Sequence, residues 1–148
     1  ATSLLVAVLA VSSWFYFADY KKEAWRGLTR QLQSRMAPGD MVLICEKYLQ
    51  TPLWFYLNDD MPPLLHVNAR RHRARVRLPG DGPWLSFRKA MSAGPPATVW
   101  VVNRYAHCPG NIGAILRAVT GRDYWPQTPW RGQALSLTPF RLPGAGPS

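Results

Sequence analysis

The chain has 148 residues, 47% of them hydrophobic, with 18 Lys and Arg against 8 Asp and Glu and a formal charge of +10. That length suits one domain of ordinary size with its own core. Seven Trp and fourteen Pro argue against a basic nucleic-acid-binding tail, and two cysteines without a CxxC argue against a zinc module.

Taken in chain order, the first feature is an uncharged run over residues 1–18, ended by Asp19-Tyr20-Lys21-Lys22. As a helix it would cover ~27 Å, close to a bilayer core of about 30 Å. Aliphatic residues give way to Trp14-Phe15-Tyr16-Phe17 just before the charges. Trp14, Tyr16, Tyr20, Lys21 and Lys22 are therefore the expected membrane-interface residues of a transmembrane helix, since amphipathic rings settle in the headgroup layer and Lys snorkels. The chain opens on Ala1 rather than Met, so the span is expected to begin further upstream. A signal peptide and a buried core helix are the competing readings; the first lacks a basic leading region, the second does not explain the aromatics.

Ala24, Trp25, Leu28, Leu32 and Met36 recur at helical spacing, predicting an amphipathic helix from Tyr20 to Met36. Ala37-Pro38-Gly39-Asp40 stops it, and Met41 to Cys45 reads as a buried strand. Thr51 is the expected N-cap of a second helix, with Pro52 at its first position and Asn58-Asp59-Asp60 closing it. Leu64 to Val67 reads as the second strand, and Trp84 to Met91 as a short helix. Thr98 to Val102 is the clearest strand, being β-branched and apolar throughout. Asn111 is placed to cap a helix over Ile112 to Val119, with Gly121 just past its end, and a last strand covers Ala134 to Leu142.

The expected architecture is α/β: a transmembrane helix over 1–18, a small three-layer domain over 19–142 with a mostly parallel sheet of about four strands, and a flexible tail over 143–148. In such a sheet, binding loops follow the carboxyl ends of the strands, here beginning at Glu46-Lys47-Tyr48 and Asn103-Arg104-Tyr105.

The span, the Trp25-Arg26 pair on an amphipathic helix, Pro38-Gly39-Asp40 before a strand, Tyr48, the aromatic Pro52 helix and Val99 to Arg104 form a recognisable series. It resembles the C-terminal region of bacterial multi-spanning glycosyltransferases of the dolichyl-phosphate-mannose mannosyltransferase and aminoarabinose transferase type. The resemblance implies transfer of a sugar from a polyprenyl-phosphate carrier to a lipid or protein acceptor. The part seen here would be accessory, seated at the bacterial inner membrane with its domain in the periplasm. No position matches the family's acidic residues, so no catalytic residue is carried over, and any divalent metal would belong to a portion upstream. Lys21, Lys22, Arg26 and Arg30 by themselves favour the cytoplasmic side. The alternative is a non-enzymatic, membrane-anchored binding or assembly domain.

Among candidate sites, Arg70, Arg71, Arg73, Arg75 and Arg77 form the densest charge, and on an extended chain Arg71, Arg73, Arg75 and Arg77 would share one face. They are placed to hold phosphates or headgroups, or else to form a solvated basic edge. Nucleic acid would require exposed stacking aromatics beside them; Trp84 and Phe87 equally suit a core. Cys45 and Cys108 both follow strands that would be neighbours, and are expected to pair as a disulfide if the domain lies outside the cytoplasm. His66, His72 and His107 lack ligand spacing, Asp59-Asp60 has the composition of a turn, and no glycine pattern cradles a nucleotide. Trp125 to Trp130 is rigid and aromatic, placed to cover the domain or to face lipid.

Overall fold

The computed structural model describes residues 22–68, 73–77, 85–86, 94–104, 108 and 110–144. Helix α1 (Lys22–Arg35) leads into β1 (Met41–Ile44); a 3-10 turn, Lys47–Leu49, runs into α2 (Gln50–Leu57) and a second, Asn58–Asp60, leaves it. There follow β2 (Leu64–Asn68), β3 (Arg73–Arg77), β4 (Leu85–Ser86), β5 (Thr98–Arg104), α3 (Ile112–Thr120), β6 (Trp125–Pro126), β7 (Trp130–Gly132) and β8 (Leu135–Arg141).

These strands form one mixed sheet in the order β4-β3-β2-β1-β5-β8, with β6 and β7 both paired to the far side of β8. Only the centre is parallel: β1 pairs β2 on one side and β5 on the other. Every other pairing is antiparallel. The expected sheet of about four mostly parallel strands is thus corrected to eight strands, mostly antiparallel. The reason is local. The basic stretch returns as β3 against β2, Leu85–Ser86 adds β4 where a helix was expected, and β8 returns antiparallel along β5.

The expected transmembrane architecture is also corrected. Among the described residues no helix is long and apolar enough to cross a membrane. The run 1–18, with Trp14, Tyr16, Tyr20 and Lys21, lies outside those residues, and Lys22 is simply the first residue of α1.

Alternation along the strands divides the core between the two faces of the sheet. On one face Val42, Ile44, Leu64, Trp100, Val102, Leu135 and Leu137 pack against α1 (Trp25, Leu28, Leu32) and α2 (Leu53, Leu57). On the other, Met41, Leu43, Leu65, Val76, Val99, Val101 and Phe140 pack against Ile112 and Leu116 of α3 and against Tyr124. The apolar runs of β1 and β5 follow from this: both faces are covered, so every residue of β1 is buried.

One buried polar group organises the entry to the centre. Asp40, 2% exposed, accepts hydrogen bonds at one carboxylate oxygen from the Ala37 N–H and from the Trp100 indole N–H, each at 3.0 Å. The turn before β1 is thereby tied to the middle of β5, while the Arg35 guanidinium sits 5.3 Å from the Trp100 ring centre.

Helix ends depart from expectation in instructive ways. α2 starts at Gln50 because the preceding 3-10 turn feeds directly into it, leaving Thr51 and Pro52 inside the first turn rather than at its boundary. Asn111 precedes α3 without a side-chain cap bond, whereas Gly121 ends it in the left-handed conformation at φ 72°, donating its N–H to Arg117. Trp125 is exposed, but Trp130 lies against α1 so closely that a Cβ on Gly27 would come within 2.9 Å of its ring. The second half of the aromatic segment therefore covers the domain.

Candidate functional site at the carboxyl edge of the central strands

The chain leaves β1 at Cys45 and turns through Glu46, Lys47 and Tyr48; β5 ends at Arg104, and β2 reaches the same edge with His66, which pairs with Ile44. Because residues alternate, Arg104 shares the face of Trp100 and Val102, the face covered by α1 and α2. This brings its guanidinium 5.9 Å from the centre of the Tyr48 ring, within cation–π range.

The edge is fixed covalently. Cys45 and Cys108 form a disulfide with their Cα atoms 5.4 Å apart, tying the end of β1 to the segment that follows β5. The Cys108 N–H also donates to Oδ1 of Asn103 at 3.2 Å. Reaching across neighbouring parallel strands, the bridge closes a separation of 63 residues.

The rim carries charges of both signs, a carboxylate governing Tyr48 and cations bearing on His66. The Tyr48 phenol is held above its ordinary value, chiefly by hydrogen bonding to Glu46, then by burial and the Glu46 charge, against the lowering pull of Arg104. His66 is held below the ordinary imidazole value, first by burial and then by the positive charges of Lys47 and Arg75. Tyr48 therefore keeps its proton at neutral pH, and His66 resists gaining one. One Glu46 carboxylate oxygen is buried without a hydrogen-bond partner among the described residues. Such a rim offers cations, hydrogen-bond donors and an aromatic face; it suits holding an anion better than moving a proton.

The basic run divides. Arg70 and Arg71 lie outside the described residues. Arg73, Arg75 and Arg77 occupy alternate positions of β3, in register with Asn68, His66 and Leu64. Arg75, which is exposed, is the member that joins the edge, since its charge reaches His66. Among the described residues no group of three His, Cys, Asp or Glu side chains gathers where a metal ion would be held.

The positions of the loops at Glu46 and Asn103, just past β1 and at the end of β5, were legible from the strands they follow. The meeting of Tyr48 with Arg104, and of His66 with Lys47 and Arg75, was not: these contacts cross strands distant in sequence, and no local pattern signals them. Tyr48 at this rim, and Trp54 and Phe55 on α2, leave large apolar rings in solvent, Phe55 being 72% exposed. Compared with protein-family models, with curated proteins and with solved structures, the chain matches none of them.

Proposed function

We propose that this domain is an accessory, non-catalytic part of a glycosyltransferase that draws on a polyprenyl-phosphate-linked sugar, and that its rim holds the anionic phosphate group of that donor. The observation that carries the reading is the gathering of Arg104, Lys47, Arg75 and the Tyr48 ring at the carboxyl edge of the parallel strands. Guanidinium groups supply paired donors to phosphate oxygens, and the aromatic face beside them suits the first isoprene unit. The disulfide supports placement in an oxidising compartment such as the bacterial periplasm, where such a bond persists. No residue of the described chain is assigned a chemical step; a divalent metal, if the transferase uses one, belongs to another part of the protein.

Geranyl phosphate is the probe. Titrated into the isotope-labelled chain, it is expected to shift the amide signals of Lys47, Tyr48 and His66 saturably, and Arg104→Gln is expected to weaken binding about tenfold. Absence of saturable shifts, or equal binding by the variant, overturns the reading. A second reading, a non-enzymatic assembly domain, is favoured by the exposed Trp54 and Phe55 rings. It predicts that Trp54→Ala abolishes association with a partner protein and leaves geranyl phosphate binding unchanged.

A further inference from the structure

A second concavity lies on the other face of the sheet, where β8 meets β5 and β7. Asn103 and Arg104 are adjacent in sequence but project to opposite faces, so this groove is separate from the rim. It has a volume of about 400 Å³ and is bordered by Asn103, Arg131, Ser136 and Thr138 with Pro129 at its side. Its size falls in the range of small-ligand sites.

The walls of the groove are polar along β8. Ser136 and Thr138 stand at alternate positions of β8, half-buried, where the same strand buries Leu135 and Leu137 on the opposite face. Among the described residues their hydroxyls make no hydrogen bond, and neither does the guanidinium of Arg131, a residue that lies opposite Ser136 in the β7–β8 register. Asn103 is oriented by its neighbour. The Cys108 N–H requires an acceptor, so the amide turns its oxygen to Cys108 and presents its NH₂ as a donor elsewhere. None of the groove's lining residues is acidic.

We propose that this groove binds a small polyhydroxylated anion: a ligand whose hydroxyls meet Ser136, Thr138 and the Asn103 amide while one phosphate or carboxylate meets Arg131. Two hydroxyls that both donate and accept, with an amide donor beside them, match the alternating donors and acceptors of a sugar ring. A single guanidinium matches a single anionic group. The apolar side of Pro129 supplies a flat surface for the ring's C–H face. The inference stands on this groove alone and does not need the transferase reading.

The test is a titration of the isotope-labelled chain with four probes: glucose 1-phosphate, glucuronate, neutral glucose and inorganic phosphate. The expected result is saturable shifts at Asn103, Gly132, Ser136 and Thr138 with at least one polyhydroxylated anion. That anion should bind about tenfold more tightly than glucose or phosphate alone. A preference for glucose 1-phosphate assigns the anion as phosphate, and a preference for glucuronate assigns it as carboxylate. Arg131→Gln, a change at an exposed position, should reduce the preferred anion to the level of glucose while leaving signals from β1 and α1 in place. Ser136→Val, in a chain whose remaining spectrum is unchanged, should weaken both that anion and glucose. Shifts confined to the Tyr48–Arg104 rim, phosphate binding as tightly as the sugar anions, or undiminished binding by Arg131→Gln overturns the proposal.

Discussion

The centre of the sheet and its outer strands obey different rules. In β1 and β5, the runs Met-Val-Leu-Ile and Val-Trp-Val-Val are buried on both sides, by α1 and α2 on one face and α3 on the other. In β8 the buried residues Leu135 and Leu137 alternate with half-buried Ser136 and Thr138. In β3 an apolar Val76 is set between Arg75 and Arg77. The centre supplies the burial, and the outer strands supply the polar side chains from which the groove is built. At its carboxyl edge the chain leaves the covered region of the centre and turns into solvent.

This division can be broken most severely at the disulfide. Replacing both Cys45 and Cys108 by Ser, or reducing the bond, frees the ends of β1 and β5 and should lower unfolding free energy by about 4 kcal/mol for a loop of this length. Urea unfolding with and without reductant checks it; a loss below about 1 kcal/mol would show that strand pairing alone fixes the edge. Next in size is Asp40→Ala, which strands the Ala37 N–H and the buried Trp100 indole N–H and should cost about 2–3 kcal/mol. Asp40→Asn, keeping an acceptor oxygen, should recover part of that loss in the same measurement.

A smaller effect sharpens the view of the α3 face. The Tyr124 hydroxyl donates to the Pro96 carbonyl at 2.6 Å, so Tyr124→Phe should cost about 1 kcal/mol at neutral pH. Burial pushes this phenol up to about 12 from 10.0, with Arg122 pulling it slightly down. Above pH 10 the unfolded chain releases a proton that the folded chain keeps, which favours unfolding. The stability associated with this phenol is therefore complete below pH 10 and lost as pH rises toward 12. Unfolding free energy measured across that window should fall with rising pH for the native chain, and this component of the fall should be missing in Tyr124→Phe. The smallest change is expected in an outer strand: Ala134 turns the β7–β8 hairpin at φ 56°, a conformation unfavourable for an L-residue. Ala134→Gly should leave stability within about 1 kcal/mol of the native chain, on the stabilising side, with the relief of strain offset by the added freedom of the unfolded glycine. Thermal unfolding distinguishes this from the losses predicted in the centre.

Legibility followed the same division. Met41 to Ile44 and Thr98 to Val102 were readable as strands because burial on both faces imposes an uninterrupted apolar run. The amphipathic spacing of Trp25, Leu28 and Leu32 marked α1, and Gly121 marked the end of α3 for a conformational reason that glycine alone satisfies without strain. Residues 73–77 carried a charge pattern equally suited to a loop or an edge, and Leu85–Ser86 is too short to be told from one turn of helix. The candidate rim was visible only as two separate loops; Arg131, Ser136 and Thr138 carried no signal, since isolated hydroxyls and a lone arginine are common on any strand.

By itself, then, the sequence determined the covered elements: which segments are apolar throughout, which are amphipathic, and where glycine or proline interrupts them. These depend on solvent exclusion and backbone sterics acting within a few residues. Only the tertiary structure decided that β8 returns antiparallel along β5, that Asp40 meets Trp100 and that Tyr48 meets Arg104. Each of these joins residues far apart in the chain. Their proximity is set by how the whole sheet is ordered and covered, a property that no local run of side chains encodes.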